Sequence, residues 1–422
     1  MKKNIKKRLL IYSDCYIYGG SEKLLSSVIL NKAINDEYDV YFAYRRHRVY
    51  KKGLIDDYGL KRKNFYPLFI LSNDSVFHRI NMLSFPGFVQ KILKIPLWLP
   101  RVIGLYSIYN FLVLYFFVKK IKPSVIHINN GGYPGAASCN ILVLAAKIAG
   151  IYNIVYQVNN IAQPSKSGFS RQIDKIINIF VKYFITASQK AKQSLFEKRG
   201  FPLDKIAVIP NTILNKEVKR SREEVLKELS WPDDSFFVCQ TAFLSQRKGQ
   251  LFLLEAINKI RLLNKQVFEK IKVAIIGDGE DEKRLKQFVK DNDLGDKIVF
   301  TGYRSDYLDF INACNVFVLP SIANEDMPLV VLEAMNFKKV IIASRFGGIE
   351  EELENGVSGI LVEPNLDTLS DDIAEAIIRI FTDKNYEHYG LRARERYNKY
   401  FSPDIRSLNL LNVYSLEFAN KI

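Results

Sequence analysis

Residues 316–344 read VFVLPSIANEDMPLVVLEAMNFKKVIIAS. Two short runs rich in Val and Ile, VFVLP and KVIIAS, bracket a segment of helical length. Runs of that kind are strands covered on both faces, and strand–helix–strand succession builds a parallel sheet. Pro328 suits the first turn of the intervening helix, where a missing N–H costs nothing. From Leu329 to Met335 the helix is apolar on every side except at Glu333, the pattern of a buried helix. Glu333 is therefore a carboxylate inside an apolar element and needs a partner. Glu325 stands eight positions earlier, just ahead of the helix. The N–H groups of Met327, Leu329 and Val330 lie at a helix start, which favours anions and phosphate above all. A phosphate cradle between two carboxylates suits a nucleotide sugar, whose ribose and sugar hydroxyls donate to the acids. A capping acid plus an internal salt bridge gives the same spacing.

Working outward, the alternation continues in both directions. The first half shows strand-like RLLIYSD, VYFAY, SVIHINN, NIVYQV, YFITAS and IAVIP; the second adds FFVCQTA, KVAIIG, KIVFTG and GILVEP. Helix-period segments such as GQLFLLEAINKIRLL lie between them. The rhythm breaks after Pro210, near 211–230, where a polar segment follows. The sequence thus predicts two open α/β domains, 1–210 and 211–400, and a closing helix within 401–422.

The length of 422 residues fits two domains, and 48% hydrophobic residues suffice for two cores. Cys15, Cys139, Cys239 and Cys314 are far apart with no CxxC pair, which argues against a zinc ribbon or disulfide framework and fits a reducing compartment. The four histidines are equally scattered, so no His-based metal site is expected. The opening MKKNIKKRLLIYSD reads as a basic tail before a buried strand, since its apolar run is too short for a signal-peptide core.

Charge is uneven. Residues 1–210 carry 32 Lys and Arg against 11 Asp and Glu, a net +21, while 211–422 carry 29 against 34, a net −5. A basic half points to nucleic acid, to anionic lipid, or to a solvated face. No aromatic-basic RNA motif accompanies it, so no nucleic-acid partner is expected and the membrane surface is preferred. Residues 102–118, VIGLYSIYNFLVLYFFV, hold no charge over seventeen positions, just short of a spanning helix. A buried helix feeding the strand SVIHINN is the plainer reading. Upstream, FPGFVQKILKIPLWLP mixes Lys with large apolar residues, as an interfacial segment does.

Four further motifs carry chemistry. In SQRKGQ (245–250) Lys248 precedes Gly249 at a strand-to-helix turn, where its charge can hold a diphosphate. In YGGSEK (18–23) Gly19 and Gly20 permit a tight loop near phosphate, with Ser21 as a helix cap. A second loop, Asn129 to Tyr133, follows SVIHI; His127 and Asn129 share one face of that strand. A lone strand histidine is more often a packed core residue than a functional one. Gly277-Asp278-Gly279 lets a ligand approach a strand end but lacks the third glycine of a dinucleotide fingerprint.

Residues 320–364 resemble the donor-site signature of retaining glycosyltransferases of family four, which have the GT-B fold. The residues concerned are Glu325, then Glu333-Ala334-Met335, Gly347-Gly348, Glu351 and Gly356. The resemblance covers the second half well and the first more loosely. It implies two Rossmann-like parallel-sheet domains facing a central cleft. The first would bind the acceptor, the second the nucleotide sugar, and the last helix would pack back on the first. It implies that Glu325 faces the donor sugar and Glu333 the ribose, that the Gly19–Gly20 loop meets the diphosphate, and that Tyr303 and Arg304 lie by the nucleobase. Phe243 stands where the family usually has Arg, so that either Arg247 substitutes or the diphosphate has one cation fewer; Asn159 stands where many members have His. Asn159 and Asn160 cannot act as a base but can hydrogen-bond a sugar. Catalysis would then rest on Glu325 and Lys248 and on stabilising the departing diphosphate, which itself helps deprotonate the acceptor. The expectation is retaining transfer from a UDP- or GDP-sugar to a lipid-linked glycan, without metal or other cofactor, by a cytoplasmic protein peripheral to the membrane's inner face. A sugar-nucleotide epimerase on the same fold and a non-catalytic nucleotide-sugar-binding protein are the alternatives.

Overall fold

The computed structural model describes residues 6–16, 18–58, 64–72, 80, 85–102, 104–165, 167–214, 216–383 and 385–415. Most of the basic tail and residues 416–422 of the expected last helix lie outside the described residues. The chain forms two compact units: Met1–Thr186, Lys192–Ile209 and Ser407–Ile422 make the first, Ala187–Ala191 and Pro210–Arg406 the second.

The first unit is built from β1 (Lys7–Ser13), α1 (Gly20–Ile29), α2 (Lys32–Glu37), β2 (Tyr38–Arg45), α3 (Arg48–Tyr58), β3 (Phe65–Leu68), α4 (Gly87–Val102), α5 (Leu105–Ile121), β4 (Val125–Asn130), α6 (Ala137–Ile148), β5 (Ile154–Val158), α7 (Gly168–Phe180), β6 (Tyr183–Thr186), α8 (Gln189–Arg199) and β7 (Ile206–Val208). Its seven strands run parallel in the order β3-β2-β1-β4-β5-β6-β7. β1 lies centrally, with Leu9 opposite Val40 on one side and Val125 on the other. The two-residue period divides the sheet between two cores. Leu10, Tyr12, Ile126 and Tyr156 pack under α5, α6 and α7. Leu9, Ile11, Val125 and Ile185 pack against α1, α2 and α3 on the opposite face. Both faces are covered, which is why these strands read as continuous apolar runs.

The second unit contains α9 (Arg222–Glu228), β8 (Phe236–Thr241), α10 (Gln250–Leu263), α11 (Lys265–Lys270), β9 (Ile271–Ile276), α12 (Glu282–Asp291), β10 (Ile298–Gly302), α13 (Tyr307–Ala313), β11 (Val316–Leu319), α14 (Leu329–Asn336), β12 (Val340–Ser344), α15 (Ile349–Glu352), β13 (Ile360–Val362), α16 (Leu369–Thr382) and α17 (Glu387–Tyr400). Its parallel order is β10-β9-β8-β11-β12-β13. Chain order reverses between β8 and β11, and ligands of open α/β sheets bind at such a switch point, beyond the carboxyl ends of the strands. The corresponding place in the first unit is between β1 and β4. The last helix, α18 (Pro403–Tyr414), places Leu410, Val413 and Tyr414 in the core shared by β1 and α1.

Three details differ from the sequence reading. β3 was not expected. Pro328 is the N-cap of α14 and lies outside its first turn, with extended backbone at φ −73° and ψ 127°. Residues 105–118 of the uncharged stretch lie in α5, but one face only is buried: Asn110, Leu114, Phe117, Val118 and Ile121 lie inward, while Ile108, Leu112 and Phe116 face outward. Among the described residues no helix is long and apolar enough to cross a membrane.

Candidate active site

Two loops leave neighbouring strands at the switch point of the second unit: 242–249 after β8 and 320–328 after β11. Gly249 fixes how closely they approach. It has φ +69°, and a Cβ there would stand 1.9 Å from the Pro320 carbonyl oxygen. Ile322 N–H donates to the Arg247 carbonyl at 2.8 Å, and the Gln240 amide donates to the Lys248 carbonyl at 3.0 Å. Gly347 closes the other side, since a Cβ there would meet the Glu325 carbonyl oxygen at 2.1 Å with φ +59°.

This packing brings Glu325, Arg247 and Lys248 together. Lys248 Nζ contacts Glu325 Oε2 directly, Ser321 Oγ donates to the same oxygen at 3.2 Å, and Arg247 Nη1 lies 3.7 Å from it. Arg247 also donates to the Asn324 carbonyl at 3.2 Å. Lys248 and Glu325 are each only 9% exposed, whereas the Arg247 side chain is 38% exposed. The site is thus a mostly buried ion pair with a second, half-exposed cation at its rim.

α14 starts beside it. In a helix beginning at Leu329 the N–H groups of Leu329 and Val330 have no carbonyl above them, while Val331 N–H bonds the Pro328 carbonyl at 3.0 Å. Met327 faces inward: it is 4% exposed, its carbonyl accepts from Asn211 Nδ2 at 2.8 Å, and its sulfur accepts from Asn211 N–H at 3.3 Å. Glu333 lies on the first turns of α14, 7% exposed, with Oε1 accepting from the Tyr307 hydroxyl at 2.5 Å. Tyr307 was not anticipated; nothing in its sequence neighbourhood pairs it with Glu333, twenty-six positions away.

A second acidic layer lies behind Glu325. Asp326 is 2% exposed and accepts from Ser188 Oγ. Burial pushes its carboxyl up to about 7, against the Ser188 hydrogen bond and with help from Glu351 and Glu325. Glu352 is wholly buried, and burial raises its pKa well above the usual range, with Glu325, Asp326 and Glu351 adding to the effect. Glu351 accepts from the backbone of Gln189 at 2.9 Å and Lys190 at 3.1 Å.

The remaining expected donor residues divide. Gly277 packs on the turn after β8, a Cβ there falling 2.0 Å from the Ala242 carbonyl oxygen. Tyr303 is 74% exposed. Arg304 donates to both Asp306 oxygens at 2.8 Å and to Glu228 at 2.7 Å, and stacks 4.9 Å over Phe310. Hydrogen bonding to Asp306, followed by Glu228, holds its pKa high.

In the first unit, Gly19 is the N-cap of α1 and its N–H donates to Glu22 Oε2 at 3.2 Å. Ser21 is therefore inside the helix and is not its cap; its hydroxyl donates to Glu22 at 2.7 Å. Glu22 is 2% exposed and also accepts from Ser13 at 3.1 Å; burial raises its pKa, and these bonds pull it back. His127, offered by the sequence as an acceptor-side candidate but more readily as a core residue, has no exposed surface and hydrogen-bonds Tyr414 at 2.6 Å and Gln157 at 3.1 Å, as a core histidine does. Asn129 and Asn159 bond each other at 2.7 Å, and Asn159 also donates to the Asn130 carbonyl at 2.9 Å. Their amides hold β4 to β5. Asn160 is half-buried, accepts from Ile161 N–H at 2.9 Å and lies beside Gly132.

Comparison with known proteins bears on the class of the chain and on its fold. Residues 221–400 match the family described as Glycosyl transferases group 1, and 74–213 match Glycosyltransferase Family 4. Together these matches support a glycosyltransferase of family four, and the chain is a transferase with the GT-B fold. The UDP-Gal:alpha-D-GlcNAc-diphosphoundecaprenol alpha-1,3-galactosyltransferase of Escherichia coli is 29% identical over 285 residues, 64% of this chain and 70% of that one. A lipopolysaccharide 1,2-N-acetylglucosaminetransferase of Salmonella typhimurium is 28% identical over 223 residues, 50% of this chain and 56% of that one. Among solved structures, Anabaena HepE in complex with UDP superposes with a TM-score of 0.75 at 18% identity, covering 97% of this chain and all of that one. A glycosyltransferase from Rickettsia africae gives 0.73 at 17% identity, covering 99% and 100%.

Proposed function

We propose that the protein transfers a sugar, with retained anomeric configuration, from a UDP- or GDP-sugar to a lipid-linked glycan in surface-polysaccharide or glycoconjugate assembly. The observation that carries this reading is the convergence of Lys248, Arg247 and Glu325 with the start of α14 at the β8/β11 switch point. The donor diphosphate meets Arg247, Lys248 and the N–H groups of Leu329 and Val330. Lys248, touching Glu325, keeps that carboxylate from repelling the diphosphate and leaves its other oxygen for the sugar hydroxyls. Glu333, oriented by Tyr307, accepts from the ribose. During transfer the bond from the anomeric carbon to the phosphate oxygen breaks, and the acceptor oxygen bonds the same face of that carbon. The acceptor proton passes to the departing phosphate oxygen. The two cations stabilise the leaving charge in place of a metal.

The lipid-linked acceptor is supported by the names of the two bacterial relatives, which act on a diphosphoundecaprenol-linked sugar and on lipopolysaccharide; transfer to such an acceptor would take place at the inner face of the membrane. UDP and GDP titrated by calorimetry test the donor site. Glu333→Ala is expected to weaken the correct nucleotide about 10- to 100-fold, the worth of hydrogen bonds to a charged group. A variant that binds as tightly as the parent removes the ribose assignment. Incubation with undecaprenyl-diphosphate glycans and product NMR reads acceptor class and anomeric outcome.

A further inference from the structure

Two packed helices of the first unit turn apolar side chains outward. On α5, Leu105, Ile108, Leu112 and Phe116 follow one another at steps of three and four residues, a single helical face. Ile108 is 55% exposed and Phe116 64%. α4 packs against α5 and shows the same spacing at Phe88, Ile92 and Ile95, which are 67%, 57% and 63% exposed. Leu114, Val118 and Ile121 on the opposite face of α5 are buried on the sheet. The outward stripe is thus surplus to what the core needs. Isolated exposed apolar residues are ordinary, but stripes on two adjoining helices mark an interaction surface.

The charge around the stripes selects the partner. From Ser75 to Ile173 the chain contains no Asp or Glu and ten Lys or Arg. Lys91 lies next to Ile92, and exposed Lys119 and Lys120 end α5. Protein–protein interfaces are depleted of lysine. Lysines around an apolar helix face instead suit a layer of acidic headgroups above acyl chains.

We propose that the outward face of α4 and α5 is a membrane-docking surface, lying flat in the headgroup layer of an anionic bilayer with Phe88, Ile92, Ile108 and Phe116 at the acyl boundary. The helices lie in the membrane plane: among the described residues neither is long and apolar enough to span it, and the inward face of α5 is taken up by the sheet. The proposal names the surface that would present the lipid-linked acceptor; it rests on that reading for its purpose only, since docking needs neither donor nor acceptor.

Flotation of the full-length protein with phosphatidylcholine vesicles, with and without roughly 30 mol% phosphatidylglycerol, tests it. The parent is expected to float with the anionic vesicles and to be released by salt. Ile92→Ser/Ile108→Ser/Phe116→Ser should lower partitioning about 100-fold or more. Lys119→Glu/Lys120→Glu, which leaves every apolar side chain in place, should lower it at least about 25-fold, given roughly fivefold per lysine. Both variants should keep the parent's melting temperature and nucleotide affinity. The proposal is overturned if the parent ignores anionic vesicles, or if the serine variant floats like the parent. It is also overturned if the parent forms a dimer that the serine changes dissociate without any vesicle binding. Calorimetry with UDP and GDP on the same samples keeps the two readings apart: vesicle binding without nucleotide binding would remove the catalytic reading and leave this one.

Discussion

Lys248 and Glu325 are 77 positions apart in sequence and in contact in the fold. Removing either partner of a mostly buried pair leaves an uncompensated charge, and here that charge would face the donor. Lys248→Ala is expected to lower the transfer rate about 10²- to 10³-fold, as when one preorganised stabiliser of the leaving group is deleted. The loss should appear chiefly in kcat, with a smaller change in nucleotide affinity. Equal kinetics for variant and parent would exclude Lys248 from the reaction.

Asp326 belongs to the same scale. Its pKa of about 7 in the folded protein lies above that of an unfolded carboxyl, near 4. Between those values the folded state holds a proton that the unfolded state has lost. Stability therefore falls as pH rises from about 4 to about 7, and stays at the lower level beyond. Glu352, whose pKa is also raised chiefly by burial, adds a fall of the same sign. Asp326→Asn should flatten part of this slope, and Asp326→Asn/Glu352→Gln most of it, in thermal melts between pH 4.5 and 8. A double variant with the parent's slope would show that these acids do not titrate as their burial implies.

At the scale of elements, the sequence showed most of the sheet because parallel strands buried on both faces leave continuous Val- and Ile-rich runs. VYFAY, SVIHINN, FFVCQTA and VFVLP all fall on strands. β3 has only four residues, includes Pro67, and sits at the sheet edge half-exposed, so it left no such run. The loops at the β8/β11 switch point were legible through glycine and charge. What sequence could not show is which amide or guanidinium is already engaged. Asn159 and Arg304 looked available because their partners Asn129 and Glu228 are remote in the chain. Gly249 shows how an element junction can be tested. With φ +69° and 1.9 Å of room before Pro320, Gly249→Ala should cost about 2–4 kcal/mol and weaken the nucleotide. Gly20, at the start of α1, has nothing within 4 Å of an added Cβ. Gly20→Ala should therefore be neutral or stabilise by about 0.5–1 kcal/mol. Denaturation midpoints of the pair decide whether the crowding at Gly249 is real.

For the whole molecule, the chain's last described helix completes its first unit. α18 brings Leu410, Val413 and Tyr414 into the core lined by Leu9, Ile11 and Val155, and Tyr414 supplies the hydroxyl bonded to His127 at 2.6 Å. Its backbone carbonyl also accepts from Asn153 Nδ2 at 2.8 Å. Tyr414→Phe keeps the ring and that backbone bond but removes the hydroxyl that bonds a wholly buried imidazole nitrogen. The expected cost is about 1–3 kcal/mol, all within the first unit, because every group concerned belongs to it. Nucleotide contacts are assigned mainly to the second unit, where the cores around α14 and α10 share no residue with this one. Calorimetric melting of Tyr414→Phe with and without saturating nucleotide should therefore show a lower transition for the first unit and an unchanged nucleotide-induced shift for the second. A lost nucleotide shift with unaltered first-unit melting would mean that the buried histidine network supports the donor site and not the fold.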